Sequence, residues 1–257
     1  EGDDLLVRDD NVFGSPEEDA FRRDFTVNGL FFDVEARNVV DFVDGMHDLD
    51  ERLIRTIGEP EVRFREDPVR MLRAVRFAAK LGMSITPRTA KPIFNHGHLL
   101  SNIPPARLFE ETMKLFLSGQ GLSTFRLLNQ YKLLDPLFPA LANVLHTKDS
   151  REVQLLEIVL KNTDDRINSG QRVTPAFLYA TLLWYPVEEH AMKLQAEAGL
   201  NNHDAFNIAM GDILHRQTQR IMIPKRFSTV IRDIWMLQQR LPRRFSRRAF
   251  QLLSHPK

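Results

Sequence analysis

From Gly58 to the C-terminus the sequence offers no convincing strand. One helical pattern follows another, and a chain of that kind folds by packing helices on helices. Apolar residues recur at three- and four-residue spacing near 67–81, 87–96, 105–117, 121–131, 150–162, 174–184, 187–198, 203–220, 224–240 and 244–253. The breaks carry turn chemistry: Gly82, Ile103-Pro104-Pro105, Gly119-Gln120-Gly121, Asp135-Pro136, Asn168-Ser169-Gly170, Tyr185-Pro186 and Leu241-Pro242. There is no repeat of fixed period and no low-complexity run.

The first 58 residues read differently. Ser15-Pro16-Glu17-Glu18 opens a helix with a capping box, and that helix is expected to run through Arg22-Arg23-Asp24-Phe25 towards Asn28. Leu30–Val34 and Val39–Val43 flank Glu35-Ala36-Arg37-Asn38 and predict a β-hairpin closed by Gly45. Leu53–Ile57 suggests one more short strand. A hairpin alone is marginal in water, so this opening segment is expected to need more sheet than it carries. The expectation is a mainly α chain with a short α/β segment at its start. Glu1-Gly2-Asp3-Asp4 lacks a starting Met and reads as the interior of something longer.

At 257 residues, the chain suits one large or two modest domains, with core enough to fold without staples. It has no cysteine, which excludes disulfides and thiolate metal sites and suits a reducing compartment. No apolar run approaches the ~20 residues that span a bilayer, so no membrane partner is expected. The net charge of +1 hides an asymmetry. Nine acids against three arginines fill the first 24 residues, whereas Arg220–Lys257 hold ten basic residues against Asp233 alone. A basic end of that kind suggests an anionic polymer as partner.

Two clusters carry candidate chemistry. In the stretch Arg63–Phe77, Asp67 can cap a helix whose first residue is Pro68. Val69, Leu72, Val75 and Ala79 then form a buried stripe, and Arg70, Arg73, Arg76 and Lys80 a basic one. Glu66 and Asp67 lie four and three residues before Arg70, so all three can meet at the helix entrance. Either these are salt bridges tying down a first turn, or a carboxylate and a guanidinium face outward together and read the edge of a base. The second cluster is Arg22-Arg23-Asp24-Phe25-Thr26-Val27-Asn28. It suits sugar and phosphate contacts, with Asp24 on a hydroxyl or metal, Asn28 on a hydroxyl and an arginine on phosphates. The plain alternative is a frayed helix end with solvated arginines.

Here the residues carry a resemblance. Leu6–Ser15 leading into Glu18–Leu30 resembles the second motif of the class II nucleotidyltransferases, the bacterial poly(A) polymerases and CCA-adding enzymes. Arg65–Phe77 resembles their nucleobase-reading motif Glu-Asp-x-x-Arg, and Ile103–Glu111 resembles the helix that follows. The likeness extends down to Ile223-Pro224-Lys225-Arg226 and Asp233-Ile234-Trp235, and the lead-in is closer to the poly(A) polymerase branch.

The resemblance implies residues 1–58 as the C-terminal part of a nucleotidyltransferase head, 59–117 as a helical neck with the nucleobase-reading motif, and 118–257 as a helical, RNA-binding body. It implies template-independent addition of adenosine from ATP to an RNA 3′ end by two-metal phosphoryl transfer, in the cytoplasm. Asp24 would be the catalytic residue. Arg23, Asn28, Glu66, Asp67, Arg70 and Arg73 would bind the nucleotide, with Asp67 and Arg70 on the adenine edge. The Mg²⁺ ligands, an Asp-x-Asp pair after a Gly-rich loop, would lie mostly upstream of this chain, which alone is expected not to polymerise.

Three decoys are set aside. Asp48-Leu49-Asp50 has metal-pair spacing but reads as a solvated turn, and Asp3-Asp4 and Asp9-Asp10 are adjacent pairs that point apart in extended chain. His203-Asp204 reads as part of a helix N-cap at 201–204. No metal site is expected within the chain. Arg240, Arg243, Arg244, Arg247 and Arg248 are either a solvated face or the track of the RNA primer. Trp235, Phe245 and Phe250, and Met192, Met210, Met222 and Met236, read as packing residues. A CCA-adding enzyme is the alternative within the class, and a non-catalytic RNA-binding helical fragment the alternative outside it.

Overall fold

A computed structural model describes residues 14–145 and 150–239. The helix expected at 244–253, with Phe245 and Phe250, lies outside the described residues.

Helix α1 (Pro16–Arg22) begins on the expected capping box, with Glu18 N donating to Ser15 Oγ at 3.2 Å and Ser15 N to Glu18 Oε2 at 2.8 Å. It stops at Arg22 instead of reaching Asn28. Phe25 is extended and bridges Thr56, with Thr26 N donating to the Arg55 carbonyl and Ile57 N to that of Asp24, both at 3.0 Å. These non-local bonds satisfy the backbone that a longer helix would have used. A 3₁₀ turn, Thr26–Asn28, follows.

The hairpin forms where expected, from antiparallel β1 (Phe31–Asp33) and β2 (Asn38–Val40), with Phe31 opposite Val40. Gly45 does not close it; Gly45 starts helix α2 (Gly45–Asp50). A Cβ there would sit 2.3 Å from the Thr26 carbonyl oxygen, so only glycine lets α2 approach. The reading of Asp48-Leu49-Asp50 as a solvated turn is therefore overturned: the segment is helical and Asp48 is 0% exposed. Strand β3 (Leu53–Ile54) pairs in parallel with β4 (Ser84–Ile85). That second strand contradicts the strand-free reading after Gly58, and a two-residue strand leaves no period to detect.

Helix α3 (Pro60–Glu66) was also not expected. It precedes α4 (Val69–Leu81), which starts later than residue 67, after a break at Asp67-Pro68. The capping role of Asp67 survives, since its Oδ1 accepts from Val69 N at 3.2 Å. Gly82, at φ +63°, ends α4. Not only Val69, Leu72, Val75 and Ala79 but also Met71, Ala74 and Ala78 are buried, so α4 is a central element of the core.

The remaining helices are α5 (Pro87–His96), α6 (Pro105–Phe116), α7 (Gly121–Gln130), α8 (Leu134–Leu137), α9 (Pro139–Val144), α10 (Arg151–Asn168), α11 (Pro175–Leu182), α12 (Trp184–Ala198), α13 (Asn202–Arg220) and α14 (Lys225–Gln238). A 3₁₀ segment, Gly97–Asn102, follows α5. Prolines open α5, α6, α9 and α11, where a missing N–H costs nothing. For the same reason Tyr185-Pro186 sits in the first turn of α12, and Asp135-Pro136 falls inside the single turn of α8, instead of breaking helices. The Asn201 side chain caps α13 by accepting from Asp204 N at 3.0 Å.

One apolar cluster runs from Phe25 through α4 to Trp235. Trp235 is fully buried, and its indole N–H donates to the Ala180 carbonyl at 2.8 Å. Met210 is buried, but Met192 and Met222 are 61% and 53% exposed, which corrects their reading as packing residues. Among the described residues, no helix is long and apolar enough to cross a membrane.

Candidate nucleotide-binding site

The bend after α1 and the α3–α4 junction come together. Arg63, on α3, donates through Nη2 to the carbonyls of Arg22 and Arg23, each at 2.7 Å. Arg73, on α4, donates through Nε to Asp24. Phe25 and Phe77 meet edge to face beneath these polar contacts, with centroids 5.7 Å apart.

Asp24 is nearly buried, at 6% exposure. Asn28 Nδ2 donates to its Oδ1 at 2.7 Å, while Asn28 Oδ1 accepts from Phe25 N at 3.1 Å. Burial alone would raise the Asp24 pKa. Hydrogen bonds from Arg73 and Asn28, with the Arg73 charge, outweigh it and hold the carboxyl below the usual range. The same bond raises the Arg73 pKa. Arg23 lies over the Phe31 ring at 4.6 Å, pairs with Asp19 at 2.9 Å and donates to the Asn28 carbonyl at 2.7 Å.

At the other segment Arg70 and Glu66 do pair, at 2.7 Å, as their four-residue spacing predicts. Arg70 Nη1 also donates to the Arg63 carbonyl at 2.9 Å, and Arg63 Nη1 reaches Glu66 at 3.0 Å. Burial, and next the Arg70 charge, push the Arg63 pKa down. Asp67 does not join this triad. Its Oδ2 accepts from Arg107 Nη2, on α6, at 2.7 Å. Among the described residues, Arg70 Nη2 has no hydrogen-bond partner and each Asp67 oxygen has one, so both groups keep capacity for a ligand. Asp67 and Arg70 are partly buried, at 25% and 19% side-chain exposure, which strengthens any hydrogen bond they make to a base.

Sequence reasoning gave no role to Arg63, Arg107, Thr26, Asp48 or Arg55. Asp48 accepts from Thr26 Oγ1 at 2.6 Å and from Arg55 Nε at 3.0 Å, and so fixes the turn between Asp24 and Asn28. No local pattern marked Asp48, since the neighbouring apolar residues Met46 and Leu49 are themselves exposed. Arg107 and Asp67 are 40 residues apart and share no local pattern. Arg76 faces Glu111 at 3.8 Å, and Glu111 also binds Lys114 at 2.7 Å, so the basic stripe of α4 is charge-compensated at Arg70, Arg73 and Arg76.

The described residues alone do not assemble a divalent metal site. None of their acids and histidines form a group of three that could hold one. The arginines expected at Arg240, Arg243, Arg244, Arg247 and Arg248 lie outside the described residues.

Three family profiles match the chain: "Poly A polymerase head domain" over 3–55, "Probable RNA and SrmB- binding site of polymerase A" over 82–145, and "Polymerase A arginine-rich C-terminus" over 198–257. Poly(A) polymerase I of Escherichia coli O6:H1 is 54% identical over 98% of this chain and 54% of its own length. That of Haemophilus influenzae is 44% identical over 98% and 56%. A CCA-adding enzyme of Lactobacillus gasseri is 35% identical over 61% of this chain and 42% of its own. The chain thus spans about half the length of the poly(A) polymerases it matches. A solved tRNA-processing enzyme in an apo form shares the fold at TM-score 0.57 and 21% identity, covering 94% of this chain and 68% of that one. With these motifs, profiles and identities, the chain belongs to the tRNA nucleotidyltransferase/poly(A) polymerase family of the class II nucleotidyltransferases.

Proposed function

We propose that this chain takes part in template-independent addition of adenosine from ATP to RNA 3′ ends, the activity of a polynucleotide adenylyltransferase. The observation that carries the proposal is the separate anchoring of Asp67 by Arg107 and of Arg70 by Glu66, on the helix that also makes the Asp24–Arg73 contact, in a chain 54% identical to a poly(A) polymerase. Asp67 accepts from the adenine amine and Arg70 donates to a ring nitrogen, so a protein edge replaces a template base. Glu66 orients Arg70. Asp24 remains the catalytic candidate of this proposal; it is close to buried and accepts from Arg73 and Asn28, which with Arg23 face ribose and phosphates. Mg²⁺ chemistry belongs to this proposal for the whole protein, with ligands supplied by residues other than those described. The cytoplasm as the compartment, RNA processing as the context and primer contacts by Arg240, Arg243, Arg244, Arg247 and Arg248 belong to it too.

Titration with ATP, CTP and a short RNA tests the reading. ATP is expected to bind in preference to CTP, and Arg70→Ala is expected to weaken ATP by about tenfold or more, the worth of a hydrogen bond to a charged group. Binding with no base preference overturns adenine reading by Asp67 and Arg70. CCA addition is the second reading, favoured by the 35% identity to a CCA-adding enzyme, and it requires CTP to bind at the same pair.

A further inference from the structure

Away from the Asp67–Arg70 pair, α5 presents a half-exposed aromatic ring. Phe94 is 49% exposed, whereas Tyr131, against which it packs, is only 7% exposed. Their centroids are 5.4 Å apart and their planes are tilted by 54°. Tyr131 therefore holds the Phe94 ring in place while about half of that side chain stays open to solvent. Lys91 lies three residues before Phe94 on the same side of α5 and is exposed.

Lys132 belongs to the same surface. A Cβ on Gly97 would meet Leu133 Cδ2 at 3.1 Å and the Lys132 carbonyl at 4.0 Å, so the end of α5 lies directly against residues 132–133. Lys132 is exposed and left-handed, at φ 56°, a conformation that costs a non-glycine residue about 1 kcal/mol. Among the described residues neither Lys91 nor Lys132 has an ion-pair partner, unlike Arg63, Arg70, Arg73, Arg76 and Arg107 in the site above. An open aromatic face with one uncompensated lysine a helical turn before it and another next in sequence to Tyr131 matches a base with nearby phosphates. It suits an unpaired strand, because a base within a duplex is already stacked on both faces. The patch also lies on the helix that packs against α3 through Arg88–Glu59 and His96–Glu61 contacts, and α3 ends at Glu66.

We propose that Phe94, backed by Tyr131 and accompanied on α5 by Lys91 and after Tyr131 by Lys132, is a stacking platform for an unpaired base of single-stranded RNA. The platform rests on the reading of RNA as substrate and assigns it a specific contact away from the nucleotide pair.

The test uses the full protein and a single-stranded oligoadenylate carrying 2-aminopurine, with affinity and base fluorescence read together. Wild type is expected to quench the base. Phe94→Ala is expected to weaken binding about tenfold and abolish quenching, and Phe94→Trp to retain both. Replacing Lys91 and Lys132 by Ala is expected to flatten the salt dependence by about 0.7 per lysine. If a folded Phe94→Ala protein binds as tightly as wild type with the base unquenched in both, RNA remains a substrate, the patch is left to a protein partner, and the platform is overturned. A wild type that binds no RNA overturns the platform together with the RNA reading.

Discussion

Arg73 on α4 hydrogen-bonds the carboxylate of Asp24, 49 residues earlier in the chain. Asp24 in turn holds Asn28 at 2.7 Å, so a single α4 side chain fixes the bend after α1 against the long core helix. The contact joins the two sequence clusters. It is polar, nearly buried at Asp24 and underlain by the Phe25–Phe77 ring pair.

Replacing Asp24 by Asn removes the charge that Arg73 faces. Arg73 is about a third exposed and can recover some hydration, so the cost should fall below the 3–5 kcal/mol of a fully buried pair, at about 2 kcal/mol. The pH dependence has a fixed sign. The folded pKa of Asp24 lies below the ordinary value of 3.8, so its stabilisation is fully present above 3.8 and is lost as pH falls through the lower, folded value. Urea denaturation between neutral pH and pH ~3 should show wild type losing more stability than Asp24→Asn across that window. Parallel curves for the two proteins would remove Asp24 from the acid response.

Arg107→Ala separates positioning from stability. The Asp67–Arg107 pair is partly exposed, at 25% and 46%, so its loss should cost under about 1 kcal/mol of stability. Asp67 would keep only the Val69 amide and be free to leave the rotamer that Arg107 holds. ATP affinity is expected to drop about fivefold, and the preference for ATP over CTP to narrow, with Arg107→Lys restoring part of both. Calorimetric titration with each nucleotide reads this directly. An unchanged ratio would show that Asp67 is held adequately without Arg107.

What the sequence made legible follows the reach of local chemistry. The Ser15–Glu18 box, the Glu66–Arg70 pair and the Asn201–Asp204 cap of α13 span four residues or fewer, and all stand where their spacing put them. The parallel β3–β4 pairing, Asp24–Arg73 and Asp67–Arg107 join distant segments, and packing alone decides them. Asp48 shows the failure most clearly. Acid spacing near a glycine implied a turn, but Gly45 lets α2 press against the Thr26 carbonyl and carries Asp48 inside. Pro186 shows the reverse: proline read as a stop, though the first turn of a helix accommodates it.

Asp164 gives a test in the helical body. Its Oδ1 accepts from Gly121 N at 2.6 Å and its Oδ2 from Leu122 N at 2.9 Å, so an α10 side chain caps α7 from 42 residues away. Asp164→Ala strands both amides, one of them buried, and should destabilise by about 2 kcal/mol. Asp164→Asn keeps one acceptor and turns a donor towards the other amide, so it should fall between. Denaturation midpoints in that order support the cap. Equal midpoints for wild type and Asp164→Ala would mean that water replaces it at no cost.

Asp48→Ala should be among the costlier single substitutions in the N-terminal segment. The carboxylate has no exposure, and Arg55 and Thr26 both donate to it. Its hydrogen bond to Arg55 raises that guanidinium's pKa, the sign of a charge held in place by its partner. Arg55 is 39% exposed and can turn to water, whereas the buried Thr26 hydroxyl keeps only a 3.4 Å contact to the Arg55 carbonyl. The balance points to the lower end of the range for a broken buried pair, about 3 kcal/mol. Thr26 lies between Asp24 and Asn28, so relaxation there also loosens the bend that Arg73 grips. Nucleotide binding measured on the folded fraction should therefore weaken alongside stability. Thr26→Val, close in shape and without the hydroxyl, isolates that path: it leaves the Asp48–Arg55 pair in place and should lower nucleotide affinity more than its small stability cost accounts for. Should Thr26→Val bind as wild type does, the Asp48 network serves folding alone.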